Sequence, residues 1–207
     1  MKFLSERNGS LSYIIQDTPD FARARLANGQ RSEYDSPVWK EAVLVVRLAK
    51  PGDLPRILEL YAIARAYMAH SGNPNQWPET YPNQELLEGD MERESLYVIE
   101  RGGAVCGVFV LALGEDAGYA VIRGGAWLRE GPYGTIHRLA GDGVHRGVFE
   151  ECMEFCRENA PDLRADTHAD NRTMQHLLEK HGFVYCGLVN PPDGGERMAY
   201  QLAVTKN

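Results

Sequence analysis

The sequence has no surplus of positive charge. Its 22 Lys and Arg stand against 29 Asp and Glu, a formal net charge of -7, which excludes the broad basic surface that nucleic acid or an anionic membrane would require. No apolar run approaches the roughly 18 residues that a membrane-spanning helix needs, so no span is expected. The opening residues Met1-Lys2-Phe3-Leu4-Ser5-Glu6-Arg7 are broken by charge and lack the continuous apolar core of a secretory signal, which makes a cytoplasmic protein the expectation. Cysteine is scarce: Cys106, Cys152, Cys156 and Cys186 lack C-x-x-C spacing and lie within apolar patterns, so reduced core thiols are expected, with neither disulfides nor a metal site. Internal repeats and low-complexity tracts are absent too. What remains is 207 residues, 43% hydrophobic and 25% charged, enough for one substantial core with an appended segment.

That segment is residues 1–40, an N-terminal arm ahead of a domain at 41–207. Leu11-Ser12-Tyr13-Ile14-Ile15 reads as a short strand, 19–27 as a short helix stopped by Asn28-Gly29, and the polar stretch 30–37 as a linker. An arm of this length suits packing against a second subunit, so a homodimer is an expectation that goes with it.

Within the domain, Val43 to Leu48 reads as a strand. Lys50-Pro51-Gly52-Asp53 then turns the chain and offers Asp53 as a cap for a helix whose apolar face is Leu54, Ile57, Leu58, Tyr61, Ala62 and Ala66. Residues 71–82, rich in turn formers and carrying Trp77 and Tyr81, form a loop of a length that often shapes binding sites. A second helix spans 84–91 with Asn83 as its cap. Leu96–Glu100 and Ala104–Leu111 flank Arg101-Gly102-Gly103 as a hairpin. Residues 117–130 form an irregular connection. A further strand covers 163–168, Asp170-Asn171 caps a helix that Gly182 ends, and two strands at 183–189 and 198–204 finish the chain. The order β-α-α-β-β-β-α-β-α-β-β implies an α/β fold, a mixed sheet with helices on both faces.

The stretch from Tyr133 to Phe155 organises the rest. A strand over 133–140 passes through Gly141-Asp142-Gly143 into a helix whose apolar stripe is Val148, Phe149, Cys152, Phe155 and Cys156. The first amides of that helix, around Arg146-Gly147-Val148, lack partners within it and point out of a terminus where the backbone dipole favours negative charge. A phosphate suits such a junction, and a local cluster of Arg138, His145 and Arg146 can receive an anion despite the acidic whole.

The element order, together with His137-Arg138-Leu139-Ala140, Arg146-Gly147-Val148, and the run Leu163-Arg164-Ala165-Asp166-Thr167-His168-Ala169-Asp170-Asn171 leading to Lys180-His181-Gly182-Phe183, resembles the GNAT superfamily of acyl-CoA-dependent N-acyltransferases over about residues 43 to 204. The resemblance implies a mixed, mostly antiparallel central sheet of about 6–7 strands, with helices on both faces. It implies acetyl-CoA as cofactor. The pantetheine arm would lie where the strand at 136–140 splays from that at 163–168, beside Leu139 and Ala140, with the diphosphate on the amides of Val144, His145, Arg146, Gly147, Val148 and Phe149 and with Asn171 near the pantetheine. Of the family pattern Gln/Arg-x-x-Gly-x-Gly/Ala, only Gly147 is present. Leu178 stands where many relatives carry a tyrosine that protonates the departing thiolate, which leaves that task to Tyr185, Tyr133 or solvent.

The implied reaction acetylates a primary amine of a small molecule by direct attack in a ternary complex. It requires removal of a proton from an ammonium, stabilisation of an oxyanion and close positioning. The candidate catalytic groups are His137, Asp166, His168 and Tyr185, with Glu79 a further base, while Trp77, Tyr81 and Tyr133 are candidates to line the acceptor site. Each has a plainer reading. His137 also suits a structural role, Asp166 and His168 a shared bonding or capping role, the aromatics a loop-pinning role, and Asn171 a simple cap. Two other functions are compatible with the same residues: an acyl-CoA-binding regulatory protein without turnover, and an acetyltransferase acting on a protein amine.

Overall fold

The computed structural model describes residues 11–13, 43–191 and 195–204. The expected helix at 19–27 and linker at 30–37 lie outside the described residues, as does the boundary near residue 40. Among the described residues eight strands and four α-helices follow one another: β1 (Leu11–Tyr13), β2 (Leu44–Leu48), α1 (Leu54–His70), α2 (Gln84–Glu92), β3 (Leu96–Arg101), β4 (Ala104–Leu113), β5 (Gly134–Gly141), α3 (Val148–Asn159), β6 (Asp162–Thr167), α4 (Arg172–Lys180), β7 (Val184–Val189) and β8 (Arg197–Ala203). The sheet order is β1-β2-β3-β4-β5-β6-β8-β7. Seven strands belong to the expected domain, and three-residue β1 adds an edge beside β2. Every neighbouring pair is antiparallel except β5 and β6.

Alternation along the central strands decides which helices lie on which face. On β4, Val108 and Val110 pack with Ile57, Leu60 and Tyr61 of α1 and Leu87 of α2, whereas Phe109 and Leu111 pack with Phe149, Cys152, Met153, Phe155 and Cys156 of α3. Burying each of these Leu, Ile, Val or Phe side chains contributes roughly 1.5–3 kcal/mol. Gly107 of β4 lets α3 sit down on the sheet: a Cβ there would lie 2.7 Å from Val148 Cγ1 and 3.1 Å from Ile99 Cδ1. The N-terminus of α3 is thereby fixed against β4 and β5.

The helix ends follow local chemistry. Asn83 and Asn171 cap α2 and α4, accepting from the amides of Leu86 at 2.9 Å and Met174 at 3.0 Å. Helix α4 ends in a Schellman arrangement, with Phe183 N donating to Leu178 O and Gly182 N to Glu179 O, both at 3.0 Å. Gly182 takes the required left-handed backbone at φ 88. Asp53 departs from its expected role as a side-chain cap of α1. A 3-10 turn over Pro51–Asp53 precedes the helix, so the Asp53 carboxylate faces back, accepting from Lys50 N at 2.8 Å and pairing with Arg47 at 2.6 Å. The four cysteines are free and buried. Among the described residues no helix is long and apolar enough to cross a membrane.

Candidate functional site

The central event is the parting of two parallel strands. β5 pairs with β6 only from Gly134↔Leu163 to Ile136↔Ala165, although β5 continues to Gly141 and β6 to Thr167. The cause lies on the other edge of β5. Its register with β4 jumps from Val110↔His137 to Val108↔Ala140, which sets two intervening β5 residues against one on β4. Arg138 takes the left-handed backbone of a bulge, at φ 51, and a bulge of this kind bends its strand. Beyond it, the backbone of Leu139 to Gly141 faces the gap rather than β6.

A cavity of about 400 Å³ occupies the gap, walled by Leu139, Ala140 and Gly141 of β5, Val148, Phe149, Cys152 and Met153 of α3, Met174 and Leu178 of α4, Ile63 and Tyr67 of α1, and the loop residues Gln76, Trp77 and Tyr81. A second cavity, of about 320 Å³, is lined by Leu86 and Asp90 of α2, Arg93 just past its end, Ser95, Val110, Ala112, Asp116 and Pro191. Four residues line both: Tyr81, His137, Arg138 and Asp166.

These shared residues are tightly engaged. His137 Nε2 lies 2.9 Å from Asp116 Oδ2. The hydrogen bond from His137 holds the Asp116 carboxyl below the usual carboxylate range, so it is ionised at neutral pH. With an ionised carboxylate as acceptor, Nε2 carries the hydrogen of the neutral ring and Nδ1 keeps the lone pair. Asp116 is itself fixed, accepting from Gly118 N at 2.8 Å and donating its own N–H to Tyr133 Oη at 3.0 Å. Asp166 accepts from Tyr119 Oη at 2.6 Å. Arg138 donates to Asp90 Oδ2 at 2.5 Å and to Tyr81 Oη at 3.3 Å. Burial opposes the charge on Arg138, but Tyr81 and Asp90 outweigh it and raise the guanidinium pKa.

The loop expected to bind an anion is built differently from the simple expectation. Gly147 opens α3 in left-handed backbone at φ 85, and the amides that follow it have no acceptor within the helix. The amides of Val144 and His145, however, donate to Asp142 Oδ1 at 3.0 and 2.9 Å, and His145 Nδ1 lies 2.7 Å from Asp142 Oδ2. The loop thus meets its own carboxylate there, in the manner of an Asx turn. Of the six residues expected on the diphosphate, His145, Val148 and Phe149 line the first cavity, while Val144, Arg146 and Gly147 do not. Val144 and Arg146 are exposed at the loop tip, and Arg146 O accepts from Arg101 Nη2 at 2.9 Å. The expected anion cluster of Arg138, His145 and Arg146 is therefore divided, since Arg138 pairs with Asp90 and His145 with Asp142.

The remaining candidates separate clearly. Trp77 and Tyr81 line the first cavity, and Trp77 packs on Tyr61 and Tyr81 with ring centroids 5.7 and 5.9 Å away. Asn171 also lines it, capping α4 with its oxygen while Nδ2 donates to Gln76 Oε1 at 2.9 Å. Four candidates line neither cavity. His168 follows the end of β6, where the chain turns toward the α4 cap, and its Nδ1 accepts from Asp170 N at 3.2 Å. Tyr185 sits half-exposed on edge strand β7, packed edge-on against Tyr200. Tyr133 is buried, its ring 3.8 Å from the Arg164 guanidinium carbon, and it acts through the backbone of Asp116. Glu79 is exposed outside both cavities.

Sequence reasoning missed Asp116, Asp90 and Gln76. Asp116 lies in a loop 21 residues before His137 with no spacing motif to join them. Gln76 ties its loop to the far side of the gap, accepting from Asn73 at 2.7 Å and Asn171 at 2.9 Å through Oε1, and from Arg197 at 3.2 Å through its backbone oxygen. No group of His, Cys, Asp and Glu suited to a metal ion occurs among the described residues.

No protein-family model and no curated protein matches the chain. Solved structures do. An acetyltransferase of the GNAT family from Streptococcus agalactiae 2603 is 32% identical, with 79% of this chain and 96% of that chain covered and a TM-score of 0.71. A GNAT-family acetyltransferase from Listeria monocytogenes 4b F2365 is 19% identical, covers 77% of this chain and 94% of its own, and has a TM-score of 0.59. The yncA protein of Salmonella typhimurium, solved with its cofactor acetyl-CoA, is 16% identical over 79% of this chain and 95% of that chain, with a TM-score of 0.51. At their identities the latter two show the fold alone.

Proposed function

Because the chain belongs to the GNAT family of acetyltransferases, we propose that it moves an acetyl group from acetyl-CoA to a primary amine of a small molecule, by direct attack in a ternary complex. One observation carries the reading: two cavities, one in the gap between β5 and β6 and one beside α2, meet at Tyr81, His137, Arg138 and Asp166. A two-substrate reaction needs such a junction, because positioning both reactants is its largest single requirement.

The residues of the first cavity fit the donor. The backbone of Leu139 to Gly141, freed from β6, offers hydrogen bonds to the amides of a pantetheine arm. The amides opening α3 after Gly147 suit its diphosphate, while Asp142 already takes those of Val144 and His145. When bound, acetyl-CoA supplies an activated thioester carbonyl. The chain supplies the rest. His137 removes the ammonium proton through Nδ1, with Asp116 orienting the ring and stabilising its charged form. Asp166 at the junction favours the approach of a cationic amine. Arg138 and Tyr81 are the polar donors at the meeting point, and the Tyr81 hydroxyl, polarised by Arg138, is the group placed to return a proton to the thiolate. Leu178, buried in the first cavity wall, has no proton to give.

The reading is tested by calorimetric titration of the protein with CoA and acetyl-CoA, followed by thiol release across a panel of small amines. Saturable binding with turnover of at least one amine is expected. Binding with no thiol release from any amine would overturn it in favour of an acyl-CoA-binding regulator, a reading that Leu178 and the Asp142-filled loop favour.

A further inference from the structure

The second cavity has two ends of opposite character, and Arg138, which lines the junction with the first cavity, extends its guanidinium to Asp90 at the far one. At one end Asp90, only 2% exposed, receives two guanidinium groups: Arg138 Nη2 on Oδ2 at 2.5 Å and Arg93 Nη2 on Oδ1 at 2.8 Å. Two cations against one anion leave this end net positive. They also have donors to spare, because Arg138 Nη1 and Nη2 each carry a second hydrogen beyond those given to Tyr81 and Asp90, and Arg93, whose side chain is 62% exposed, makes only its bond to Asp90 among the described residues. At the other end stand Asp116 and Asp166 with His137; Arg197, 3.8 Å from Asp166, offsets one of the two carboxylates, and with His137 neutral the group keeps one net negative charge. Helix α2 packs on β3, whereas Asp166 belongs to β6, the third strand on from β3, with β4 and β5 between them. Three strand spacings of about 4.8 Å set β3 and β6 roughly 14 Å apart where they are paired, a minimum at Asp166, which lies past the last β5–β6 pair, and side chains reaching in from both sides reduce that to the length of a small organic molecule.

Resting on the reading of the site as an amine acetyltransferase, we propose that the acceptor carries a carboxylate as well as its primary amine. The amine faces Asp166 and His137 at the junction of the cavities, and the carboxylate faces the guanidinium groups of Arg93 and Arg138. Arginine suits this task because its planar fork pairs with a carboxylate through two parallel hydrogen bonds. Asp90 serves as the positioning residue that gathers both arginines at one end. An amine without an anionic group forgoes the charge-assisted pair with these guanidinium groups and binds more weakly for that reason. The cavity admits a molecule of amino-acid size and not a folded protein chain, so a compact amino acid is the class that matches both its charge and its volume.

The test compares acceptors that differ only in that charge. Thiol release from acetyl-CoA is measured for amino acids with the amine at the α or the ω position, each against its own carboxamide, which keeps size and removes the charge. In at least one pair, kcat/KM for the free acid should exceed that for the carboxamide by about tenfold or more, the discrimination a charge-assisted pair confers. Arg93→Gln, an exposed substitution that leaves the Asp90–Arg138 pair in place, should compress that ratio severalfold, chiefly through KM. Ratios at or below one in every pair, or a ratio that Arg93→Gln leaves unaltered, would overturn the inference while leaving amine acetylation standing. Absence of thiol release from every amine would remove the acetyltransferase reading and this inference with it.

Discussion

The dyad of His137 and Asp116 offers the most direct challenge to the proposed chemistry. His137→Gln keeps a polar side chain of similar reach on β5 and removes the only imidazole lining both cavities. A positioned general base contributes about 10² to 10⁴ in rate, so kcat/KM should fall by about 10² to 10³, an increase of about 3–4 kcal/mol in the barrier. Asp116→Asn preserves volume and the contact with Gly118 N, but removes the charge that fixes hydrogen on Nε2 at 2.9 Å. Its expected loss is smaller, roughly 10- to 100-fold, since the ring remains. Because both act on the same proton, the double variant should be no slower than His137→Gln by more than about threefold. The assay is steady-state thiol release from acetyl-CoA with one productive amine, with thermal unfolding followed in parallel to show that the variants fold. Activity of His137→Gln within about threefold of the parent would refute the assignment. So would strictly multiplicative losses in the double variant, which would mean that the two groups act independently.

Three further outcomes are expected. Gly147→Ala forces a side chain into left-handed backbone and places Cβ 3.3 Å from Arg101 Nη2; it should cost about 1–2 kcal/mol of stability and weaken CoA in calorimetry, and unchanged affinity in the folded variant would move the diphosphate away from the start of α3. Gln76→Ala removes the acceptor shared by Asn73 and Asn171, so amide hydrogen exchange across 72–82 should accelerate by about tenfold or more while the sheet stays protected; equal exchange would show that the loop is held by its aromatics alone. Acid should destabilise the fold through Asp53, Asp116, Asp142 and Asp162, whose pKa values are depressed on folding. The hydrogen bond from Arg47 is the main cause for Asp53 and that from His137 for Asp116, while at Asp142 and Asp162 burial opposes the shift and hydrogen bonds to His145 and Arg129 respectively prevail. A depressed carboxylate contributes stability that is complete above its unfolded value of about 3.9 and is lost as pH falls through the lower folded value; the melting temperature should hold from about pH 7 to pH 5 and drop below about pH 4, and a flat profile to pH 2.5 would contradict the ion pairs.

Much of the fold was legible because it is encoded by neighbours in the chain. The apolar stripe from Val148 to Cys156 places α3 on the sheet, Asn83 and Asn171 mark helix starts, and Gly182 stops α4; each is a local preference that the folded chain keeps. Asp53 shows the limit of such reading, since a cap residue that also finds Arg47 across a turn gives its carboxylate to the cation. Likewise the alternation of Asp166, Thr167 and His168 predicts one shared face, but the strand ends at Thr167 and the turn draws His168 out of register.

What the sequence by itself determined was the order of elements, the faces they bury and the strand-to-helix junction at Gly147, all of which depend on spacings of a few residues. What only the tertiary structure decided was the site. The bulge at Arg138 parts β5 from β6, Asp116 reaches His137 from another loop, and Asp90 gathers Arg138 and Arg93 at one end of the second cavity. The Asp116–His137 and Asp90–Arg138 contacts join residues 21 and 48 positions apart. Nothing in a one-dimensional pattern specifies which charges will meet once the chain has closed upon itself, because their energies exist only at the distances that packing imposes.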